Sequence, residues 1–534
     1  MALQHSVRAL AKLQPRTLGC GCARRMFSGS AGGVGSSAAE KKIQQEQEGK
    51  LSSNFGSFHS PSVEDLISIN ECDWPVELRN VAGPPPVDVP FNKFGSAEMK
   101  AAFCIDFDSW AFLNHGAFGA TPRCVMAHAE QWRAKQEQQP LQFFDRILLP
   151  ELVRVMHRMG HFMSASPCDI ALVPNATTAL NIILQSLGRT LTKHDSVLYL
   201  DIAYGSVKKM ITHITGRSGI PVTVLQVPLP IASPAAILDM VHEHLRQCAK
   251  PPSVVVLDHI TSNTALRLPL AQLAELIKTH GPSTRVVVDG AHGLLQTEVD
   301  MAELRAAGVS YYAANCHKWM CSAKSVGVLW AADDEEKECI EPVVISHGHG
   351  SGFTSEFVWD GCRDYAPALS LCTAIDFIQA HGVEQTRRYC HDLLCEAATL
   401  LRAAWGTGGI VAGDDEGVHR SLHACMALVQ LPPHKDYSPQ ALAATTRASA
   451  AASSGGDGGG SDTGKSVSSA AQVADPSFAA RVQDWLFDNR IEVPVKAIAG
   501  NHYVRISAHM YNALDDYRPL ADLVSALPNK QAKQ

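Results

Sequence analysis

Arg285-Val286-Val287-Val288-Asp289-Gly290-Ala291-His292 and, shortly after it, Ser310-Tyr311-Tyr312-Ala313-Ala314-Asn315-Cys316-His317-Lys318-Trp319 decide the fold. Each is a short apolar run that ends abruptly in polar residues. A strand buried on both faces reads as such a run, because neither side of the pleat meets water. Working outward, the same pattern recurs at 170–174, 196–200, 253–257 and 327–330. Segments with helical apolar spacing separate these runs at 177–187, 234–247 and 270–279. The alternation predicts an α/β fold, a mostly parallel sheet with right-handed crossovers. We expect a large domain over 105–345 and a smaller α+β domain over 346–534. Residues 40–104 read as an N-terminal arm, extended through Pro84–Pro90 and the segment before it.

Ligands of such sheets collect at the carboxyl ends of the strands, so the polar residue after each run is a candidate. Asp289 stands at one such tip, where a carboxylate is costly to desolvate unless a cation faces it. It equally reads as the cap of a following helix. Lys318 follows another run. Burial would lower its pKa and leave an amine able to attack a carbonyl, whereas an ordinary lysine would snorkel to the surface. Pro174-Asn175-Ala176-Thr177-Thr178 opens a helix with small and hydroxyl residues. That suits either an anion at the helix N-terminus or a simple N-cap. Tyr204, past a further strand, offers an aromatic face to a ligand or to the core. Together these residues supply an anion cradle, an aromatic platform, an acid and a lysine, which is what pyridoxal phosphate requires of a protein.

The ordered motifs NATTALN, DIAYG, DHITSNT, VVVDGAH and NCHKW resemble the class V aminotransferase family of fold-type I pyridoxal-phosphate enzymes. The likeness is to the branch of isopenicillin N epimerases and plant L-cysteine desulfhydrases. Phe112-Leu113-Asn114-His115-Gly116 and Val504-Arg505-Ile506-Ser507-Ala508-His509-Met510-Tyr511-Asn512 extend it to roughly 110–525. The resemblance implies that Lys318 bonds the cofactor aldehyde and that Asp289 pairs with the ring nitrogen. It places His292, with Ser262 or Thr261, near the ring hydroxyl, and Tyr204 against the ring face. Ala176 and Thr177, with Asn315 and His317, would hold the phosphate. Arg505 would grip a substrate carboxylate, and the loop Asn114–Gly116, with His115, would flank the substrate. A homodimer is expected, although Gly361-Cys362 stands where relatives carry Gly-Thr against the partner's phosphate. A thiol is a poorer donor there than a hydroxyl.

The resemblance implies β-elimination from a sulfur amino acid, a carbon–sulfur lyase of the cysteine desulfhydrase type. Epimerase, racemase or aminotransferase activity is the alternative, and a silent cofactor-binding protein would lack one of Asp289, Lys318 and Arg505. A cysteine desulfurase needs a mobile cysteine shortly before the Arg505 motif. The last cysteine of this chain is Cys425, so persulfide transfer is disfavoured.

Composition narrows the rest. The 534 residues carry 46 basic and 53 acidic side chains, a net charge of −7 that gives no nucleic-acid footprint. No apolar stretch is long enough to span a membrane. Fifteen scattered cysteines without CxxC pairing suit a reducing compartment and offer no metal motif. Residues 1–39 contain Arg8, Lys12, Arg16, Arg24 and Arg25 with no acid, which reads as a mitochondrial transit peptide, a plastid one being the alternative. Residues 448–472 are a Ser-Ala-Gly tract, read as a flexible insertion. Within it Gly459, Gly464, Lys465 and Ser466 match a phosphate loop, but the strand and helix that such a loop requires are missing on either side.

Overall fold

The structure, a computed structural model, describes residues 61–74, 76–79, 83–413, 415–451 and 476–530. Its centre is a seven-stranded sheet of β1 (Ile170–Val173), β2 (Val197–Leu200), β3 (Val222–Leu225), β4 (Val254–Asp258), β5 (Arg285–Asp289), β6 (Tyr311–Asn315) and β7 (Gly327–Ala331). The order across the sheet is β1-β7-β6-β5-β4-β2-β3. All neighbours are parallel except for β7, which runs against both β1 and β6. The apolar runs are continuous because alternate residues serve two cores. Val286, Val288, Tyr312 and Ala314 enter the core on one side of the sheet. Val287, Tyr311 and Ala313 enter the core on the other. Full burial of each such valine contributes about 1.5–3 kcal/mol.

Helix α1 (Ala176–Thr190) follows β1 directly. Asn175 caps it, its side-chain oxygen accepting from the Thr178 N–H at 2.8 Å. Its apolar stripe, Ala179, Leu180, Ile183 and Leu187, lies in the second core. Helix α2 (Gly205–Ser218) starts immediately after Tyr204 and ends on Gly219 in the left-handed region, φ 63°. Both helices therefore open at the carboxyl end of the sheet.

A second sheet of three antiparallel strands, β8 (Met426–Gln430), β9 (Val495–Ile498) and β10 (Asn501–Ser507), has the order β9-β10-β8. Helix α3 (Val383–Trp405) covers it, burying Leu394, Ala397 and Leu401 against Val429 and Ile506. The short strands Ala111–Phe112 and Ile491–Glu492 pair in parallel. That pairing ties the segment leading to Asn114 to the second sheet and brings it beside β10.

Three differences from the sequence reading are physical. The arm is not extended throughout: Pro61–Ile67 is a helix whose Val63, Leu66 and Ile67 are buried in the main core. Among the described residues of the arm, the longest stretch without regular structure is 83–93. The helix Pro439–Ala451 continues into the start of the Ser-Ala-Gly tract, since alanine favours the helix. Strand β3, at the sheet edge, was not foreseen, because its outer residues Val222 and Val224 are exposed and no apolar run marks it. Residues 1–39, read as a transit peptide, and 452–472 of the insertion lie outside the described residues.

Candidate active site

A cleft of about 520 Å³ opens where β4, β5 and β6 end and α1 and α2 begin. Ala176, Thr177, Tyr204, Ser262, Asp289, His292, Asn315, His317 and Lys318 all line it, so the sheet brings these sequence-selected residues together.

Asp289 ends β5 and is buried, its Oδ1 accepting from the Ala291 N–H at 3.0 Å. Burial raises its pKa, while that N–H and the charge of Lys318 oppose the rise. Asp258 at the tip of β4 is its register partner and lines the same cleft. Burial and then the charge of Asp289 push Asp258 well above the ordinary carboxylate range. The sequence reading passed over Asp258, although it occupies the same strand-tip position as Asp289.

Lys318 lies in the turn after β6. Burial brings its amine down to about 8, partly offset by Asp289. Its Nζ lies 3.1 Å from His292 Nε2, and the indole N–H of Trp319 donates to His292 Nδ1 at 3.2 Å. Tyr204 also lines the cleft and stays 43% exposed.

At the phosphate-type end the picture is mixed. The Ala176 N–H is taken by Asn315 Oδ1 at 2.9 Å, so Ala176 offers no donor, and Asn315 acts as a brace for α1. Thr177 lines the cleft in the first turn of α1, where backbone N–H groups find no partner within the helix. His317 Nδ1 donates to the Val326 carbonyl at 2.9 Å, and burial holds its pKa at about 4. Its Nε2 becomes a donor only when a facing anion restores the charge. Lys324, missed by the sequence reading, also lines the cleft; its Nζ donates to Thr121 Oγ1 at 3.3 Å.

Arg505, on β10, is 4% exposed. Its Nη1 donates to the Ser262 carbonyl, and its Nη2 to Asn114 Oδ1 at 3.2 Å. Asn114 in turn donates to Glu492 at 3.0 Å. Among the described residues no carboxylate forms an ion pair with Arg505, and burial lowers its pKa to about 10. A buried guanidinium held only by neutral acceptors is a ready site for an incoming carboxylate.

Neither Arg505 nor Asn114 lines the cleft, Arg505 being hydrogen-bonded to Ser262, which does, and two further expected contacts differ. The Thr261 hydroxyl turns into its own loop, 2.6 Å from Thr264 Oγ1, and leaves the cleft to Ser262. His115 does not reach the cleft wall. It is fully buried behind Lys318, with Nε2 donating to the Lys318 carbonyl at 3.0 Å and Nδ1 accepting from Tyr511 Oη at 2.9 Å. Gly119 explains how closely these loops meet. At φ 72° a Cβ there would lie 2.1 Å from the His317 carbonyl and 2.7 Å from that of Lys318.

The donor set fits pyridoxal phosphate. A lysine amine is available for the aldehyde, a buried acid lies on a neighbouring strand tip, and a helix N-terminus faces the same space beside an open aromatic wall.

Comparison with known proteins agrees. The chain is 28% identical over 468 residues to the "Probable L-cysteine desulfhydrase, chloroplastic" of Arabidopsis thaliana, covering 83% of this chain and 88% of that protein. It is 25% identical over 432 residues to the isopenicillin N epimerase of Amycolatopsis lactamdurans, covering 78% and 94%. The solved complex of the cystine C–S lyase C-DES with cysteine persulfide shares the fold, with a TM-score of 0.59 at 17% identity over 78% of this chain and 98% of that one. The aminotransferase class-V family matches residues 154–424, and the chain belongs to it.

Proposed function

We propose that this protein is a pyridoxal-phosphate-dependent carbon–sulfur lyase that removes the Cα proton of a sulfur amino acid and eliminates its sulfur from Cβ. The observation that carries the reading is the juxtaposition of a pKa-lowered Lys318 with a buried Arg505 that lacks a carboxylate partner. The named desulfhydrase relative supports the sulfur substrate.

Lys318, Asp289, Tyr204, Thr177, Asn315 and His317 would hold the cofactor, whose ring, when bound, accepts the electrons left at Cα. Arg505 binds the substrate carboxylate with its planar fork and orients the Cα–H bond. The neutral amine of Lys318 takes the Cα proton, since an amine near pH 8 matches the working pH of a general base. His292 sits against that amine and steadies it. Asp289 would keep a proton on the ring nitrogen. Asn114, itself anchored by Glu492, fixes Arg505, and His115 fixes the Lys318 backbone.

Persulfide transfer is disfavoured further by the cleft itself, since none of its lining residues is a cysteine among the described residues. Cys425 is buried. A homodimer fits the exposed apolar residues Phe118, Val343, Val344 and Ile345, of which Phe118 also lines the cleft. Organelle import, to the mitochondrion, rests on the basic, acid-free leader, and a chloroplastic relative is in keeping with an organellar site.

Incubation with L-cysteine in deuterated water tests the reading. Sulfide and pyruvate in equal amounts support elimination. Deuterium exchange with stereoinversion and no sulfide would replace it with epimerisation, and no reaction would leave a silent binder.

A further inference from the structure

His292 has both ring nitrogens engaged, and its two partners impose opposite demands. The indole N–H of Trp319 can only donate, so His292 Nδ1, 3.2 Å away, must accept. A neutral imidazole then carries its single proton on Nε2. That nitrogen lies 3.1 Å from Lys318 Nζ. An ammonium has three hydrogens and no lone pair, so it would set N–H against N–H; only the neutral amine can accept from Nε2. His292 and Trp319 are buried and Lys318 is half-buried at the cleft wall, so a mismatch between their hydrogens is costly on the histidine side.

We propose that Trp319 is a positioning residue that locks His292 in its Nε2–H form and thereby keeps the free Lys318 amine unprotonated and ready to take a proton. Trp319 is itself held firmly. Its ring lies 4.8 Å from that of His115, and its carbonyl accepts from His509 Nε2 at 3.3 Å. The buried cluster of His115, His509 and Cys321 thus forms the bed of the lock. The other charged groups facing the pair are Asp289 on β5 and Arg505 on β10, with neutral His115 behind. Burial and Arg505 oppose the ammonium and Asp289 favours it; the histidine proton adds to the side of the neutral amine. This inference rests on the reading of Lys318 as the reactive amine, but not on which bond the enzyme breaks.

Nitrogen NMR of full-length protein with 15N-labelled histidine tests it without turnover, His292 being assigned by the signals lost in His292→Asn. Near neutral pH, Nε2 is expected to carry the proton and Nδ1 to be bare. In Trp319→Phe the two forms should mix. A proton on Nδ1 in the unaltered protein would overturn the proposal, and so would an unchanged tautomer in a folded Trp319→Phe. In a second measurement, the full-length chain is stripped of cofactor with hydroxylamine and acylated with acetic anhydride across pH, with peptide mapping of Lys318. The reaction midpoint should rise by about one pH unit in Trp319→Phe, about tenfold in proton affinity. An unmoved midpoint contradicts the lock. Failure of sulfide release leaves both readouts intact, so the two readings fail separately.

Discussion

Lys318 and Arg505 are cations kept for different purposes. Lys318 loses proton affinity through burial and becomes a base, whereas Arg505 keeps its charge even at a pKa of about 10. Lys318→Ala should therefore abolish sulfide release, measured with excess cofactor, while leaving the fold intact. Arg505→Lys replaces a fork by a point charge and forfeits hydrogen bonds to a charged partner, worth about 1.5–3 kcal/mol. We expect kcat/KM for L-cysteine to fall roughly tenfold to hundredfold, mainly through KM. A fall in kcat alone would place the residue elsewhere in the reaction.

At the scale of elements, the site is a meeting of loops set by two sheets. The loop ending at Gly119 and the turn bearing Lys318 approach so closely that the glycine has no room for a side chain. Gly119→Ala should shift the Lys318 turn, lowering both the melting temperature and cofactor retention, and a variant with unchanged cofactor affinity would contradict that contact. The strand-tip residues were legible in the sequence because buried parallel strands are written as unbroken apolar runs, and the polar break marks the tip. Asp289, Lys318 and Thr177 fell out of that rule, and Asp258 would have fallen out of it too. The place of His115 was not legible. It depends on Ser507 and Tyr511, nearly 400 residues later, which meet it beside the pairing of Ala111–Phe112 with Ile491–Glu492 and the bonds of Ser507 to Leu113. The spent N–H of Ala176 was equally hidden, since its acceptor Asn315 comes from two strands away across the sheet.

For the whole molecule, buried neutral histidines set the acid limit. Burial holds His423 and His509 at about 4, against an ordinary value near 6.5. The unfolded chain binds these protons at higher pH than the folded one, so stability is fully present above about pH 6.5 and falls as pH drops toward 4. Each such group removes on the order of 3 kcal/mol across that window. The raised Asp258 and Asp289 act in the opposite sense, but His115, His292 and His317 add to the loss. Thermal melts from pH 7 to 4.5 should show a steady fall, and a flat profile would mean that the histidines are charged in the fold. Excising 452–472 should leave melting temperature and sulfide release nearly unchanged, and a large loss of either would give the tract a role.

The most direct test of the account is borohydride reduction of the yellow, cofactor-loaded enzyme, followed by peptide mapping. A stable pyridoxyl label is expected on the peptide carrying Lys318. A label on Lys324, which shares the cleft, would contradict it, as would a protein that takes up no cofactor at all.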